Sequence, residues 1–482
     1  MRPITVGEII EWTSGRLLCG QSSLTVNGIS TDSRSAKPGD LFIALKGERF
    51  DGHEFALAAA VRGAAAVLIE EARAEDLATK FQQIDQSSLE LVVIAVSDTL
   101  LALQDLARGY RTLFCLPIIA VTGSTGKTTT KDMIASICGE IGPVLKSQEN
   151  FNNEIGLPLT LLELDNGYRN AVVEMGMRGL GQIRLLAKIA RPHVGVITNV
   201  GTVHMELLGS QTAIQAAKRE LLDAMPSGSI AVLNADDALV REMARTCQDK
   251  RVMFFGWQQE PPAEIRDHIG YVTATDITTR GTNGVAFRLH YDGQEVEIDI
   301  PTPGAYQVHN ALGAAAAALA VGASLTDVRA GLSRVALSGM RMELLPWISG
   351  GLVINDTYNA NPTSMAGALE AAHEIAAGRR LMLVLGDMLE LGHLSEACHR
   401  EIGQKAASYR PGQIVTVGSA ARDIAWGARN AGMDEESVVE CQDQVAAQSV
   451  VLGLAQPGDV ILVKGSRGIA LEHVVRALCT QL

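Results

Sequence analysis

The sequence predicts an α/β protein of several domains, with a mostly parallel P-loop-type sheet in its centre. Three observations lead to this prediction. The chain has 482 residues, more than one core usually holds, so two to four domains are expected. Apolar runs alternate with helical or loop segments from Phe114 onward and again from near Gly339, as in buried parallel sheets. A glycine-rich loop joins one of these runs to a helix-like segment.

The first predicted segment mixes short strands with glycine-rich turns. Domain boundaries near residues 98 and 336 divide the chain into residues 1–98, 99–336 and 337–482. The strand candidates of the first segment are the run after Pro38-Gly39, Ala64–Glu71 and Leu91–Val96. Ser97–Tyr110 has an N-cap residue and a helical apolar period, so it predicts a helix that leads into the next domain.

The central segment predicts a parallel sheet that is extended by antiparallel strands. Its buried strand candidates are the apolar runs PIIAVTG, NAVVEMG, HVGVITNVG and SIAVLNAD. Residues 271–300 instead alternate apolar and polar side chains, as antiparallel strands do. The alanine-rich stretch from Ala311 is shorter than a membrane span and predicts a packed helix.

The third segment predicts a second parallel sheet. Its strand candidates are LVINDTY, RLMLVLGD, QIVTVGS and DVILVKGS. Each run ends in Gly, Asp or Lys, where the carboxyl edge of an open α/β sheet faces a ligand.

Composition excludes some classes of function. The formal net charge of −13 argues against a nucleic-acid-binding protein, whose affinity depends on cationic side chains. The seven cysteines are widely spaced and odd in number, and no C-x-x-C occurs, which indicates free thiols in a reducing compartment. The amino terminus lacks the pattern of a signal peptide. We therefore expect a cytoplasmic protein without a membrane span.

The strongest motif is the phosphate-loop candidate TGSTGKTTT, residues Thr122–Thr130. It contains G-x-x-G-K-T between an apolar strand and a helix-like segment, which is the setting that a phosphate-binding loop requires. Lys127 is expected to reach the terminal phosphates of a nucleotide, and the Thr128 hydroxyl to ligate Mg²⁺. The other nucleotide-binding candidates of the loop are Gly123, Ser124, Thr125, Gly126 and Thr129.

A phosphate loop alone does not identify a reaction, because kinases, GTPases, motors and ligases all use one. The chain has no N-K-x-D motif for reading guanine, which argues against a GTPase. It also has no apolar run ending in Asp-Glu, the water-activating pattern of motor proteins.

Glu174 and His204 are metal-ligand candidates. Glu174 follows a predicted strand one βα step after the loop, and His204 follows the next strand. Both are expected at the carboxyl edge of the sheet that holds the loop, where carboxylate, imidazole and phosphate can share Mg²⁺. Each residue alone is also compatible with an ordinary polar loop position.

Two further features give weaker indications of function from their own sequence. Lys218 lies in the helical stretch QAAKRELLDAM, and its own context predicts a solvated helix lysine. Asn150, Asn152 and Asn153 form a polar turn between predicted helices, and ordinary turn chemistry explains three asparagines in four residues less well than one.

Taken together, these motifs resemble the Mur ligase superfamily over nearly the whole chain. The matching segments are STDSR (Ser30–Arg34), GDLFIALKGERFDGHEF, TGSTGKTTTK, ENFNNEIGLP, VVEMGMRGLG, NVGTVHMELLG, GMRMELL, NDTYNANPTSM, GDMLELG and KGSR. The resemblance implies a UDP-substrate domain at 1–98, a central ATP-binding domain at 99–336 and a C-terminal Rossmann-like ligase domain at 337–482.

The resemblance also implies an activity. Similar members of the superfamily phosphorylate a carboxylate with ATP and join it to an amine through an acyl phosphate. The closest resemblance is to members that add D-alanyl-D-alanine to UDP-N-acetylmuramoyl-tripeptide, an amide ligation of peptidoglycan synthesis that forms ADP. This implies ATP and two Mg²⁺ ions as cofactors, those two substrates as partners, no nucleic acid, and a monomer.

The superfamily's functional positions can be carried over residue by residue. Catalytic roles fall on Lys127, Lys218, His204 and Arg341, with Lys218 carbamylated. Metal ligation falls on Thr128 and Glu174 for one ion and on His204 and Lys218 for the other. Nucleotide contacts fall on the phosphate loop, Asn310, Arg341 and Asp356, and substrate contacts on Ser30, Asp32, Ser33, Arg34, Asn152 and Asn153.

One position departs from the superfamily pattern. The adenine segment often reads H-N-x-x-N, but Gly313 stands at the second asparagine here, so adenine recognition would depend more on Asn310. The superfamily members that add a diamino acid carry D-N-P-R, whereas this chain has NANP at Asn359–Pro362, which favours the dipeptide-adding group.

Three alternatives stay open at this stage. The nearest is another Mur-type ligase that adds a single amino acid. A folylpolyglutamate-type ligase is more distant, because the uridine-domain resemblance argues against it. A non-catalytic ATP-binding regulator would have no need of the full set of Lys127, Thr128, Glu174, His204 and Lys218.

Overall fold

The computed structural model describes residues 1–81, 91–148, 150–257 and 268–479, and these residues form three large sheets flanked by helices. The α/β fold class predicted from the sequence is therefore confirmed. Within the described ranges, no helix is both long enough and apolar enough to span a bilayer. Each large sheet lies inside one of the three predicted segments, whose exact boundaries stay predictions.

The first sheet has five strands in the order β2-β7-β6-β5-β4. In chain order, the elements of this part are β1 (Ile4–Thr5), α1 (Val6–Thr13), β2 (Arg16–Cys19), β3 (Thr25–Val26), β4 (Gly28–Ser30), β5 (Asp40–Ile43), α2 (Ala56–Val61), β6 (Ala66–Glu70), α3 (Ala74–Phe81), β7 (Val92–Val96) and α4 (Thr99–Arg111). Strands β4 to β7 are parallel, and β2 runs antiparallel at the edge. The three predicted strands are confirmed as β5, β6 and β7.

The central sheet has nine strands in the order β16-β15-β14-β13-β12-β11-β8-β10-β9. In chain order, its elements are β8 (Ile118–Thr122), α5 (Lys127–Gly139), β9 (Val144–Lys146), α6 (Gly156–Leu162), β10 (Asn170–Glu174), α7 (Gln182–Ala190), β11 (Val194–Ile197), α8 (Met205–Leu208), α9 (Gln211–Ala224), β12 (Ile230–Asn234), α10 (Ala238–Met243), β13 (Arg251–Phe255), β14 (Gly270–Thr279), β15 (Val285–Tyr291), β16 (Gln294–Ile300), α11 (Gln307–Ala320) and α12 (Leu325–Ser333). Strands β8 to β14 are parallel, and β14, β15 and β16 form the predicted antiparallel extension.

The third sheet has six strands in the order β17-β18-β22-β19-β20-β21. In chain order, its elements are β17 (Glu343–Trp347), β18 (Gly351–Asp356), α13 (Pro362–Ala376), β19 (Leu381–Gly386), α14 (Ser395–Ser408), β20 (Gln413–Val417), α15 (Arg422–Asn430), β21 (Val438–Cys441), α16 (Gln444–Leu454), β22 (Val460–Lys464) and α17 (Glu472–Cys479). All pairs are parallel except β17 with β18, and helices cover both faces, as expected of a Rossmann-like domain.

Helix α4 connects the first sheet to the central one. Its N-cap is Asp98, whose carboxylate accepts a hydrogen bond from the Leu101 amide at 2.9 Å. The hydroxyl of Tyr110, near the end of α4, donates to the Leu164 carbonyl at 2.6 Å and accepts from the Arg2 amide at 2.6 Å. The apolar core on this side is continuous between the first and central sheets, so the two are packed as one body.

The alanine-rich helix α11 positions one wall of the site. Its residues from Ala314 to Ala318 are fully buried, which confirms the predicted packed helix. Small side chains allow α11 to lie close against α5, with which it shares a core. The packing places the start of α11 beside the loop between β8 and α5.

Candidate active site

A cleft of about 1170 Å³ opens where the carboxyl ends of β8 and β10 face the third sheet. It brings most of the predicted site residues together. Those lining it are Ser124, Thr125, Gly126, Lys127, Thr128, Thr129, Asn152, Asn153, Glu174, His204, Asn310, Arg341 and Asp356. Gly123 and Lys218 do not line it, nor do Ser30, Asp32, Ser33 and Arg34.

The phosphate-loop candidate occupies the predicted strand–loop–helix position. Strand β8 is buried on both faces, so its end fixes the loop, and α5 begins directly at Lys127. Gly126 has φ +79°, and a Cβ there would lie 2.3 Å from Asn310 Oδ1. Gly126 also provides no side-chain acceptor for the first amides of α5. These amides form the positive end of the helix, which is suited to bind an anion.

Lys127 folds back over its own loop. Its Nζ donates to the Gly123 carbonyl at 2.9 Å and to the Ser124 carbonyl at 3.4 Å. Burial lowers the pKa of Lys127, the charge of Glu174 opposes that change, and Arg341 adds to it. The ammonium therefore lies in the loop, held by neutral carbonyls that a phosphate can replace.

Thr128 and Glu174 form the centre of a four-residue cluster. The Thr128 hydroxyl donates to Glu174 Oε2 at 2.7 Å, and Asn152 Nδ2 donates to Glu174 Oε1 at 2.9 Å. Glu174 is the last residue of β10 and pairs in register with Val121 of β8, which explains why it faces the loop. Arg341 completes the cluster from the third segment, with Nη2 donating to Thr128 Oγ1 at 2.9 Å.

Arg341 is held between two residues in the left-handed region. Met340 has φ +60° and Met342 has φ +50°, which turns the chain sharply on both sides of the arginine. The guanidinium lies 4.0 Å from the centroid of the Tyr358 ring. This cation–π contact fixes the direction of the side chain toward the loop.

His204 lies at the edge of the cleft, just before α8. Its backbone is left-handed, with φ +65°. Its Nδ1 lies 2.5 Å from the Glu390 Oε2 of the third segment. His204 thus faces a residue that the sequence analysis did not single out.

Lys218 is buried in helix α9, with 2% of its surface exposed. The interpretation of a solvated helix lysine is therefore wrong. Burial lowers the pKa of Lys218 well below its ordinary value, and the charge of Lys127 adds to the effect. The neighbouring sequence, QAAKREL, gave no sign of this because two small alanines precede the lysine and two charged residues follow it.

The start of α11 forms part of the cleft lining. Asn310 Nδ2 donates to Gln307 Oε1 at 3.0 Å. The ring of His309 lies beside that of Trp257, with centroids 5.9 Å apart, and contacts Asp236 at 2.8 Å. These flat and polar groups are of the kind that could bind a nucleobase.

Close packing explains why a glycine stands at position 313. A Cβ at this position would lie 3.1 Å from the ring of Phe255, a contact tighter than ordinary van der Waals packing. An asparagine would require Phe255 to move, so the departure from the H-N-x-x-N pattern follows from the close approach of α11 to β13.

Asp356 pairs with a residue that sequence reasoning did not assign. It is the register partner of Lys464 on the adjacent parallel strand, and its Oδ2 lies 2.5 Å from the Lys464 Nζ. Lys464 is 2% exposed. The sequence could have identified Lys464, because the predicted strand DVILVKGS places this lysine at its carboxyl end, the ligand-facing edge of the sheet. Tyr358 and Glu390 likewise lie in quoted motifs without an assigned role.

The asparagine-rich turn follows strand β9, so it does not lie between two helices as predicted. Asn152 holds Glu174, as described above. Asn153 stabilises the turn that leads into helix α6, because its Oδ1 accepts from the amides of Ile155 and Gly156 at 3.2 and 2.8 Å. Two of the three asparagines thus have defined structural partners.

The STDSR turn lies in the first sheet, away from the cleft lining. Arg34 bonds to the carboxylate of Asp32 at 2.7 Å and lowers the pKa of that carboxyl to about 2. Ser30 Oγ donates to the Asp32 carbonyl at 2.8 Å. The turn is therefore an ordered polar loop, with the Arg34 side chain 86% exposed.

Two oxygen donors beside the phosphate loop fit a metal ion. Among the described residues, no group of three or more His, Cys, Asp and Glu side chains could hold a metal by itself. Thr128 and Glu174 provide two hard oxygen donors 2.7 Å apart in a buried position. Such a partial set fits Mg²⁺, which usually takes one or two carboxylates and completes its shell with phosphate oxygens and water.

Comparisons with known proteins agree with this geometry. Three family models match the chain: "Mur ligase family, catalytic domain" at residues 25–111, "Mur ligase middle domain" at 121–318 and "Mur ligase, glutamate ligase domain" at 340–467. The UDP-N-acetylmuramoyl-tripeptide–D-alanyl-D-alanine ligase of Bacillus subtilis is 38% identical over 98% of both chains.

Solved structures give the same result. The crystal structure of MurF from Acinetobacter baumannii has a TM-score of 0.86 and 33% identity over 100% of both chains. The MurF ligase of Thermotoga maritima in complex with ADP has a TM-score of 0.76 and 25% identity over 94% of this chain and 97% of its own. With full-length relatives and three matching domain models, this chain belongs to the Mur ligase family.

Proposed function

We propose that this chain uses ATP to join the amine of D-alanyl-D-alanine to the terminal carboxylate of UDP-N-acetylmuramoyl-tripeptide, with release of ADP and phosphate. The observation that carries the proposal is that Arg341 of the third segment meets Thr128 and Glu174 of the central segment at a single phosphate loop. The printed names of the full-length relatives support this substrate pair. The ADP in the Thermotoga maritima structure supports the nucleotide.

The reaction requires activation because a carboxylate is a poor acyl donor in water. Transfer of the γ-phosphoryl group converts its oxygen into a phosphate leaving group. The carboxylate and the triphosphate repel each other as they approach, and the repulsion is stronger in a cleft than in bulk water. Lys127 and Arg341 supply positive charge at this point, and the amides at the start of α5 hold the phosphates.

Magnesium completes the charge balance. Thr128 and Glu174 would hold one ion, and His204 and a carbamylated Lys218 would hold a second. When bound, the ions supply positive charge that lowers the repulsion between the two anions. Asn152 keeps the Glu174 carboxylate turned toward Thr128.

Lys218 has the properties that carbamylation needs. Its lowered pKa favours the neutral amine, whose nitrogen can attack carbon dioxide to form an N–C bond and release one proton. The product is a carbamate, which carries a negative charge where the neutral amine carried none. The side chain of Lys218 in helix α9 would then offer an oxygen ligand.

The second half of the reaction forms the amide. The amine of D-alanyl-D-alanine attacks the acyl carbon, gives a tetrahedral intermediate and expels phosphate. Arg341 is directed by Tyr358 toward the position of the departing phosphate. Exclusion of water from the cleft protects the acyl phosphate from hydrolysis.

The wider assignments are part of the same proposal. The first sheet would bind the UDP moiety, including contacts from Ser30, Asp32, Ser33 and Arg34. The central sheet would bind ATP, and the third would complete the ligase site. All seven cysteines are free, which fits a reducing compartment, so we propose a cytoplasmic monomer that makes peptidoglycan precursors for cell growth and division.

ADP release provides the test. The full chain is incubated with ATP, Mg²⁺ and UDP-N-acetylmuramoyl-tripeptide, with and without D-alanyl-D-alanine, and products are identified by mass spectrometry. ADP and a pentapeptide product are expected only when the dipeptide is present. ADP release with a single amino acid on a UDP-N-acetylmuramoyl-dipeptide, and none with the dipeptide amine, would contradict the proposal and favour the single-amino-acid alternative.

A further inference from the structure

Two loops from different sheets meet at His204 and Glu390. His204 follows β11 in the central sheet, and Glu390 follows β19 in the third sheet. The imidazole Nδ1 and the carboxylate Oε2 lie 2.5 Å apart. Both residues have left-handed backbones, with φ +65° and +64°. A non-glycine residue adopts this conformation at an energetic cost of about 1–2 kcal/mol, so the surrounding structure must hold each of them in place.

The loop that carries Glu390 is held firmly. The amide of Met388 donates to His399 Nε2 at 2.9 Å, and the amide of Leu389 donates to Ser466 Oγ at 3.0 Å. These contacts come from α14 and from the segment after β22, so they fix the two residues before Glu390. The conformation of the loop is thus held by contacts within the third segment itself.

The contact between the loops also involves the backbone. The Glu206 amide donates to the Glu390 carbonyl at 3.3 Å. Gly392 lies so close to Glu206 that an added Cβ would be 3.1 Å from its Cα. The backbones of the two loops therefore dock together independently of the side-chain pair, and removal of the carboxylate alone need not separate them.

We propose that Glu390 is a positioning residue that orients the imidazole of His204 for metal ligation across the boundary between the two sheets. In this structure the two groups touch but are not aligned as a hydrogen bond, and Nδ1 has no hydrogen-bond partner. Rotation of the ring would let the carboxylate accept the Nδ1 proton, which leaves the Nε2 lone pair free for the ion. This inference rests on the proposed metal role of His204. It adds that the second metal site is complete only while the third sheet is docked.

The test measures metal affinity rather than turnover. Mn²⁺ replaces Mg²⁺ and is titrated into the full chain with a non-hydrolysable ATP analogue and bicarbonate, and bound ions are counted by electron paramagnetic resonance. Glu390→Ala should weaken binding of the second ion by about 10–100-fold while leaving the first unchanged. Glu390→Gln retains an acceptor oxygen and should recover part of the affinity. Glu401→Gln, an exposed acid on α14, is the matched control.

A second measurement separates orientation from docking. Nitrogen-15 NMR of His204 should show the Nδ1-protonated tautomer in the wild type and a mixture of tautomers in Glu390→Ala. Unchanged or tighter second-ion binding in Glu390→Ala would overturn the inference, the tighter result meaning that the carboxylate competes with the metal. A wild type that binds only one ion would overturn the proposed second metal site, and the inference with it.

Discussion

Asp132, on helix α5, accepts two hydrogen bonds from Ser338, whose amide and hydroxyl lie 2.8 and 2.7 Å from the same carboxylate oxygen. Asp132 is 2% exposed. Burial raises the pKa of the Asp132 carboxyl. The charges of Lys131 and Lys146 and the bonds from Ser338 lower it by more, so the net shift of the pKa is downward. Ser338 precedes Arg341 by three residues. The helix that begins at the phosphate loop therefore also anchors the segment that presents Arg341.

The first prediction concerns Ser338→Ala. Loss of a hydroxyl that bonds to a buried carboxylate should lower the free energy of unfolding by about 1.5–3 kcal/mol. It should also lower kcat, because the segment that carries Arg341 loses one of the two bonds that Ser338 makes to Asp132. Urea unfolding and steady-state ADP release are the measurements. Ser333→Ala, exposed at the end of α12, should change stability by no more than about 0.5 kcal/mol; equal effects of the two variants would contradict the prediction.

The second prediction concerns the phosphate loop. Gly126→Ala places a Cβ 2.3 Å from Asn310 Oδ1 in a left-handed backbone with φ +79°. The loop must shift, so we expect at least a tenfold loss of affinity for ATP in calorimetric titration. Gly139→Ala, at the exposed end of the same helix with nothing within 4 Å of its Cβ, should bind ATP normally and gain about 0.5–1 kcal/mol of stability. Normal ATP binding by Gly126→Ala would argue against the loop as the nucleotide site.

The sequence predicted the parts of the fold whose signals are local. Strands β8, β10, β11 and β12 are buried on both faces, and their continuous apolar runs mark them. The phosphate loop was predictable because its glycine spacing, between a strand and a helix, is typical of loops whose backbone amides bind phosphate. The edge strands β17 and β21 were not predicted, because they are short and only partly apolar. Strand β13 lies inside the central sheet and is apolar, but its five residues were too short a run to be recognised.

The contacts between sheets could not be predicted from local patterns. Thr128 and Arg341 are separated by 213 residues, and Asp132 and Ser338 by 206. Their proximity depends on how the third sheet docks on the central one, which no short segment encodes. The burial of Lys218 is of the same kind, since it comes from the packing around α9 and not from the sequence of α9 itself.

The third prediction concerns Lys218. Lys218→Ala should lower the rate of ADP release by about 100-fold, because the proposed carbamate ligand is lost. Addition of a short-chain carboxylic acid should restore part of the activity by placing a carboxylate in the vacated space. The free energy of unfolding of Lys218→Ala should fall less than it does when one partner of a buried ion pair is removed. The reason is that burial already disfavours the charged form of this amine.

The control for Lys218 is Lys188→Ala. Lys188 is an exposed lysine near the end of helix α7, and its loss should leave both the rate and the response to carboxylic acids unchanged. Near-normal activity of Lys218→Ala, or a loss that no carboxylic acid restores, would remove the carbamate from the proposed mechanism.

The last prediction is a pH dependence of the loop that carries Glu390. His399 is fully buried, its Nε2 accepts from the Met388 amide, and its Nδ1 contacts the Ser395 carbonyl at 2.7 Å. Burial lowers the pKa of His399, although the Ser395 carbonyl and the charges of Asp387 and Asp423 oppose the shift.

Below about pH 6.5 the unfolded chain therefore binds more protons at this residue than the folded protein does, so stability is retained above that pH and lost as the pH falls through the folded pKa. The protection factor of the Met388 amide against hydrogen exchange should fall over the same range, because a protonated Nε2 cannot accept its hydrogen bond. In His399→Gln, the free energy of unfolding should depend less on pH between 7.5 and about 5.5 than in the wild type; identical slopes would show that His399 is not the titrating group.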